Sequence, residues 1–419
     1  MAKATPTSTP RFFGKKKLLL TAIGTAAAIT AMPSYAQDTN KLEEVVVSAT
    51  RRIQNLQEVP LAITAISGEA LLSRGVENVG NMNALAPNLS VMGGGNSGES
   101  QASFRVRGMP GVAFYIDGIN QSTTDGLLTM GTVEVERVEV LRGPQGTLFG
   151  NASLGGAINY VTKAPAAEFG ANIRTSVGSY NRRDLVASVD LPLATNLSSK
   201  FTVASMSRDG FLESQVIDRD YGDVNDELVR ADFLWTPLES LSIRYNTEFA
   251  NTDRNGPARV VWEVGPMKTF NVGSILYNTN PNAQVYKNAY GYEYTTKNSA
   301  SGQGGVLGKY DTKVAWKTNG IVIDMERHNL DMSWDVNDWL KIRSLTGYKA
   351  ITRSAQVDFD GDQNVMLVER DNRNKNYDAL QEIQFLATFG DIDLVLGGYW
   401  EESYARARTI TWGMPEFTC

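Results

Sequence analysis

The chain has 419 residues, 42% hydrophobic and 21% charged, enough apolar material for a sizeable core and for more than one folded unit. A formal net charge of −6, with no basic block beyond the N-terminus, argues against a nucleic-acid surface. A single cysteine, Cys419, excludes an intrachain disulfide framework, and a single histidine, His328, counts against a histidine-built metal or catalytic centre.

Residues 1–36 read as an export signal. Lys15-Lys16-Lys17 precede the apolar run Leu18 to Ala31, and Ser34 and Ala36 in "MPSYA" have the small-x-small spacing of a cleavage site. The run is shorter than the roughly 20 residues of a spanning helix. No later stretch is long and apolar enough to be one, so a membrane form of this chain must cross with strands. Residues 37–57 are polar apart from "LEEVVVSAT", Leu42 to Thr50, whose three valines favour extended backbone with no partner strand nearby in sequence. Two readings stand: an edge strand of the next domain, or an extended peptide free to add itself to another protein's sheet.

Residues 58–165 form an α+β unit. "PLAITAIS" (Pro60 to Ser67) predicts a strand, "GEALLSRG" a short helix ending near Gly75, and "NMNALAPNLSV" a second helix stopping before Pro87. "ASFRVRGM" and "VAFYIDGI" alternate as strands around the turn Met109-Pro110-Gly111. "RVEVLRGPQGTLFGNASLGGAINYVTK", Arg137 to Lys163, is a strand, a glycine-rich connection and a second strand. Arg105, Arg107, Asp117, Glu136, Arg137, Glu139 and Arg142 lie on or beside strands expected to pack inward. "GNASLGG" is not a phosphate cradle: it opens no helix after a parallel strand and lacks the Lys-Ser/Thr of a P-loop.

From Glu168 the pattern changes to long strands of period 2. "LSIRYNTEF" sets Leu241, Ile243, Tyr245, Thr247 and Phe249 against Ser242, Arg244, Asn246 and Glu248. "VRADFLW" sets Val229, Ala231, Phe233 and Trp235 against Arg230 and Asp232. About nine such segments, each near the ~9–11 residues of a tilted membrane strand, follow one another. Short links at Asn337–Asp338 and Gly390–Asp391 alternate with long ones at Asp209–Glu227, Asp253–Ile323 and Ala355–Tyr377. Trp235, Trp334, Trp339, Tyr399, Trp400 and Trp412 lie near strand ends, as membrane girdles do. Residues 166–419 are expected to be part of an antiparallel transmembrane β-barrel. An odd count of strands leaves an open edge, so the chain reads as the N-terminal part of a longer protein. "DFDGDQNVMLVE" has calcium-loop carboxylates at Asp358, Asp360, Asp362 and Glu369 but Gln363 where the loop needs glycine, so it reads as an acidic loop. His328 is expected on the lumen or rim.

Taken together, "EEVVVSA", the paired "FRVRGM" and "FYIDGI", and "VEVERVEVLRGPQGTLFGNASLGGAINYVTK" resemble the TonB-dependent outer-membrane receptors along essentially the whole chain. The resemblance implies an α+β plug domain inside a barrel of about 22 strands, incomplete in this chain. It makes Glu43, Glu44, Val45, Val46, Val47, Ser48 and Ala49 the TonB box, and residues 37–57 the box and its linker. It makes Arg107, Glu136, Arg137, Glu139 and Arg142 plug–barrel contacts, with Arg107 and Arg142 paired to barrel carboxylates. Gly93, Gly94, Gly95, Asn96 and Ser97 become an apical loop able to touch ligand.

The function so implied is active uptake, across the outer membrane of a Gram-negative bacterium, of a scarce extracellular ligand, most often a ferric siderophore or other iron chelate. The energy comes from TonB with the ExbB–ExbD complex. Cobalamin, haem and oligosaccharide remain open as cargo, as does a truncated non-functional barrel fragment. No catalytic residue, metal site, cofactor or nucleic-acid partner is expected; a passive porin or adhesin would need neither plug nor coupling peptide, and an exported hydrolase is disfavoured by the absence of a GxSxG, HExxH or histidine-triad candidate. On this topology, protease added to intact cells should cut within Asp253–Ile323 and spare Asn337–Asp338 until the outer membrane is opened. The opposite order would invert the orientation.

Overall fold

The computed structural model describes residues 46–47, 51–76, 82–93, 102–121, 133–146 and 153–163 apart from isolated positions. Beyond these it describes residues 164–256 without 215–216, short pieces between 271 and 312, 320–358, and 367–413 without 391. The export signal and most of the valine segment lie outside the described residues.

Val46–Val47 (β1) pairs antiparallel with Gln54–Asn55 (β2), so the partner strand that the sequence did not reveal begins only seven residues after Val47. Neither half of this ladder alternates, which is why no period betrays it. Then come β3 (Ile63–Ser67), α1 (Gly68–Ser73), β4 (Leu89–Gly93), β5 (Ala102–Val106), β6 (Val112–Ile116), β7 (Ile119–Asn120), β8 (Val135–Arg142) and β9 (Gly156–Thr162). The five-stranded sheet has the order β3-β8-β9-β6-β7, with β6 parallel to β9 and the other pairs antiparallel, while β4 and β5 pair with each other. The Ser67 hydroxyl caps α1 by accepting from the Ala70 N–H at 3.2 Å.

The second predicted helix does not form over its described residues. Asn83 and residues 85–88 are turn and bend, and Leu89 already begins β4. The Asn83 side chain explains this, because its Oδ1 accepts from Val91 N at 2.5 Å and its Nδ2 donates to Val91 O at 2.8 Å. A side chain that takes backbone partners this way competes with the helix ladder, and Pro87 closes the alternative.

The glycines of the long motif make a close backbone approach possible. Gly156, opposite Arg142 at the start of β9, has φ 142°, and a Cβ there would stand 2.1 Å from the Leu141 carbonyl oxygen. No other residue fits that hairpin end.

The remainder is dominated by one large antiparallel wall, with small separate sheets in its connections. Its strands are β10 (Gly170–Gly178), β11 (Arg182–Ala194), β12 (Leu197–Arg208), then the small hairpin β13 (Leu212–Ser214) and β14 (Asp220–Tyr221). They continue as β15 (Val224–Leu238) and β16 (Leu241–Arg254), after which the long connection carries β17 (Asn271–Val272), β18 (Ile275–Leu276), β19 (Val285–Lys287), β20 (Glu293–Thr295) and β21 (Asp311–Thr312). β22 (Gly320–Asn337), β23 (Leu340–Asp358), β24 (Leu367–Phe389), β25 (Ile392–Arg406) and β26 (Thr409–Gly413) complete it. Nine strands run β10-β11-β12-β15-β16-β22-β23-β24-β25 in chain order, and β26 pairs with β24. The expected alternation of links holds, but the strands outrun their apolar stretches. The connection expected over Ala355–Tyr377 shrinks to 359–366, and the one expected over Asp253–Ile323 to 255–319. At the β23–β24 end both faces turn polar while the backbone ladder goes on, for example at Arg353↔Asn374, so hydrophobic period stops marking the strand. Glu369 of the calcium-like loop is a strand residue opposite Val357.

Two faces follow from the register. The outer face carries exposed Phe201, Tyr245, Leu330, Tyr348, Ile383, Phe385, Leu396 and Tyr404, with Trp235, Trp334, Trp339 and Phe389 toward the short-turn end. Such a surface suits hydrocarbon flanked by aromatic girdles. His328 belongs to this outer face and not to the lumen: its Nδ1 is 2.8 Å from the Tyr245 hydroxyl and its Nε2 2.9 Å from Glu326. Tyr399 shows the opposite departure, packing inward instead of joining a girdle, and the side chain of Trp412 in β26 lies outside the described residues.

On the inner face, Val186, Ala204, Leu228, Ala250, Met325 and Ile351 stand in register across six neighbouring strands. They join Ile66, Leu71, Met82, Phe104, Val138 and Ile158 of the small unit in one buried cluster. The wall is thus not polar throughout its lumen side; one apolar row is shared core. Gly156→Ala should loosen the small unit by at least ~1–3 kcal/mol, since it adds both a strained φ and a backbone clash. Limited proteolysis of the purified protein would show faster cleavage within residues 58–165, and unchanged resistance would contradict the hairpin geometry.

Candidate functional site at the plug–wall interface

Below the apolar row the inner face is charged. Ser188, Thr202, Arg230, Glu248, Arg327, Lys349 and Asp378 occupy one register line across seven strands. At its centre, Glu248 is fully buried and accepts from Arg230 Nε at 2.7 Å and Arg327 Nη2 at 3.0 Å. Lys349 and Asp378 are 3.6 Å apart. The next lines add Arg244 with Asp232 (2.5 Å, with Nε at 3.1 Å) and Arg343 with Asp331 (2.6 Å). These side chains point inward because they sit at even positions in β15, β16 and β24 and at odd positions in β22 and β23.

Several reach the small unit. Arg244 Nη2 donates to Thr162 Oγ1 at 2.8 Å and to the Lys163 carbonyl at 3.2 Å, and its Nη1 lies 3.9 Å from Asp117. Lys200 stands 3.5 Å from both Glu134 of the small unit and Asp190 of the wall. Arg230 Nη1 donates to the Val133 carbonyl at 3.4 Å. In these contacts the wall supplies cations and the plug supplies anions and carbonyls.

The direction reverses at the N-terminal edge. Arg51, whose side chain is 2% exposed, donates to the Gly118 carbonyl at 3.1 Å and pairs with Glu382 of β24 at 3.0 Å. Burial pushes its guanidinium pKa down, and Glu382 opposes that shift. Arg52 reaches Asp393 at 3.2 Å, Thr388 Oγ1 at 2.9 Å and the Ala387 carbonyl at 2.8 Å. Arg51 lies four residues after Val47, a buried residue of β1.

The expected contact residues fall in several places. Glu139 is fully buried, accepts from Arg137 Nε at 2.8 Å and from Asn159 Nδ2 at 3.2 Å, and Arg137 also pairs with Glu136. These contacts lie inside the small unit, and they lead to the wall indirectly: Asn159 Oδ1 accepts from Gly118 N at 3.1 Å, and the Gly118 carbonyl accepts from Arg51. Arg142 is half-buried, with Nε 3.4 Å from the Ala62 carbonyl, and Arg107 is exposed with φ 53°. Gly93 ends β4, while Gly94, Gly95, Asn96 and Ser97 lie outside the described residues, as do Glu43, Glu44, Val45, Ser48 and Ala49. Sequence reasoning passed over Arg51 and Arg52, although "TRR" directly after the valine segment was a visible signal. A cavity of about 640 Å³ opens at this level, lined by Arg51, Asp117, Arg137, Arg244, Asp331 and Arg343 among others. No group of three His, Cys, Asp or Glu side chains able to hold a metal occurs among the described residues.

Residues 55–157 match the TonB-dependent receptor plug domain. That span holds four strands and the start of the fifth in the sheet seated on the inner face of the strand wall. Residues 55–157 are a plug domain of the TonB-dependent receptor type. A hemin receptor from Yersinia pestis is 32% identical over 143 residues, covering 33% of this chain and 21% of its own length. A pesticin receptor from Yersinia enterocolitica is 30% identical over 195 residues, covering 45% of this chain and 26% of its own. Among solved structures, the ferric yersiniabactin uptake receptor of Yersinia pestis aligns with TM-score 0.66 at 17% identity, over 85% of this chain and 50% of that one. The ferripyoverdine receptor of Pseudomonas aeruginosa aligns with TM-score 0.65 at 15% identity, over 87% and 45%. The chain thus spans about a quarter of the curated relatives it matches and half of the solved receptors, whose fold of plug and barrel wall it shares.

In the wall Glu248 is the acid on which two buried guanidiniums depend. Glu248→Leu should destabilise the wall by roughly 3–5 kcal/mol, the range for removing one partner of a buried pair. Thermal unfolding in detergent would report it, and a melting temperature within a degree or two of the parent would show that Arg230 and Arg327 are satisfied elsewhere.

Proposed function

We propose that this receptor takes up a scarce extracellular ligand, a ferric siderophore or other iron complex, and is driven by TonB with ExbB–ExbD. The observation that carries the reading is a plug seated in the wall with the valine segment leading directly into it. The names of its relatives support the cargo class: hemin receptors, iron-regulated outer-membrane proteins and solved receptors for ferric siderophores. Vitamin B12 transport, named for a Vibrio vulnificus relative, is the second cargo consistent with the same fold. Long-loop ends of the wall and the Gly93–Ser97 loop would meet the ligand, and Glu43 to Ala49 would meet the energy-coupling partner by strand addition. Residues 1–36 would direct export, and the transport role requires no acid, base or nucleophile.

The pairing of Val46 and Val47 with Asn55 and Gln54 fits this role, because a two-residue ladder is short enough to be exchanged for an incoming strand. Val46→Pro removes an N–H and fixes φ, which a paired strand tolerates poorly. Cells carrying it should bind labelled ferric siderophore at the surface but accumulate it only to the level of cells lacking the coupling complex. Val46→Ala, which keeps the backbone donor, should transport near normally. Normal accumulation by the proline variant would make the segment a tether and sink the energy-coupled reading.

A further inference from the structure

Plug residues Asp117 to Asn120, the two-residue turn after β6 together with β7, enter the wall at one point. Ile119, 2% exposed, packs against Leu345 and Leu380, with Tyr399 alongside. It fits because β23 has a glycine there: a Cβ on Gly347 would stand 2.7 Å from Ile119 Cγ2. Glycine inside a strand weakens it and is expected where another chain segment must approach closely. Arg51 holds the same turn through the Gly118 carbonyl while pairing with Glu382 on the neighbouring strand. Arg51 and Asp117 both have left-handed backbone, φ 64° and 52°. At Asp117 this is the geometry of the two-residue Asp-Gly turn that Ile116 and Ile119 close, with Gly118 at φ 83°. The turn thereby aims the Gly118 carbonyl at Arg51.

We propose that Ile119 in the Gly347 notch, fastened by Arg51, is a keyed joint that sets the plug's position on the wall, and that pulling on the chain before Arg51 opens it. Arg51 is the only residue of the joint on the N-terminal side of the plug, four residues from β1. Tension arriving through β1 therefore meets Arg51 first and draws it from Gly118 and Glu382 together. Glu382 is then left buried without its cation, and the turn loses the hydrogen bond that held it over the notch. Ile119 and Gly347 act here as positioning residues. The opening half of the proposal rests on the energy-coupled reading above; the seating half does not.

The notch supplies its own test. An ideal Cβ at Gly347 lies 4.0 Å from Ile119 Cβ, inside the window of about 3.5–4.5 Å for a disulfide. The full receptor with Ile119→Cys and Gly347→Cys, and Cys419→Ser to remove the native thiol, should cross-link in the oxidising periplasm. Oxidised, it should bind ferric siderophore normally but take it up about tenfold more slowly, with recovery on mild reduction, as expected when a required conformational step is blocked. Full-rate uptake by the cross-linked receptor would overturn the opening, and failure to cross-link, with both thiols free to alkylation, would overturn the seating. A second variant reads the seating without transport. Arg51→Gln should make cells lacking TonB several-fold more permeable to a large hydrophilic antibiotic, and adding Glu382→Gln should reverse much of the leak. Unchanged permeability in Arg51→Gln overturns the fastening even if Val46→Pro has already upheld energy coupling, and a leak there stands even if energy coupling fails.

Discussion

An antiparallel wall satisfies its own backbone, strand against strand, and leaves the polar side chains of its inner face as the open question. Glu248 is where that question is sharpest, a fully buried carboxylate held between two guanidiniums on adjacent strands. Neither Arg230 nor Arg327 could stay at such depth without it. The register line they share fixes which residues lie above and below them, and so where the plug finds hydrocarbon and where it finds charge. The apolar row one step away is core for both bodies, which ties plug and wall more closely than charge pairs alone would.

The plug answers the wall with carboxylates and carbonyls: Glu134, Asp117 and the peptide oxygens at Val133 and Lys163. Asp117 serves both bodies, since its two oxygens also accept from Thr162 N at 2.8 Å and Thr162 Oγ1 at 2.7 Å. A hydrogen-bonded path runs Arg137–Glu139–Asn159–Gly118–Arg51–Glu382 from the middle of the plug sheet to β24. Its members are buried or half-buried, where a lost partner is expensive. Movement of the linker and of the plug therefore cannot be independent at this edge.

Much of this was legible beforehand. Alternation in "LSIRYNTEF" and "VRADFLW" put Arg230, Asp232, Arg244, Asn246 and Glu248 on one face, and that face is the inner one. The glycine motif announced two strands with a glycine-rich connection, and Gly156 makes a close backbone approach where they meet. The misses have physical causes. Asn83 takes backbone partners from the helix that the apolar spacing suggested. Strand ends beyond the apolar belt carry no period, so Ala355–Tyr377 looked like loop. The pairing of Arg51 with Glu382 joins residues 331 apart, and no local pattern records such a contact.

The outer face has a further consequence. Its apolar rows run from Trp334, at the short-turn end of β22, to the level of Glu326, where Phe249, Tyr377 and Tyr404 stand on neighbouring strands and beyond which Asn251, Asp324 and Thr352 turn the surface polar. Eight residues separate the two positions, about 26 Å along a strand at ~3.3 Å per residue, or about 20 Å of height at a tilt near 40°. A bilayer with the usual ~30 Å hydrocarbon core would have to thin itself around such a belt, at a fraction of a kcal/mol for each ångström of mismatch. The outer membrane is thinner than average, so the spacing between Trp334 and Glu326 acts as a gauge that favours residence there over any thicker membrane met during export.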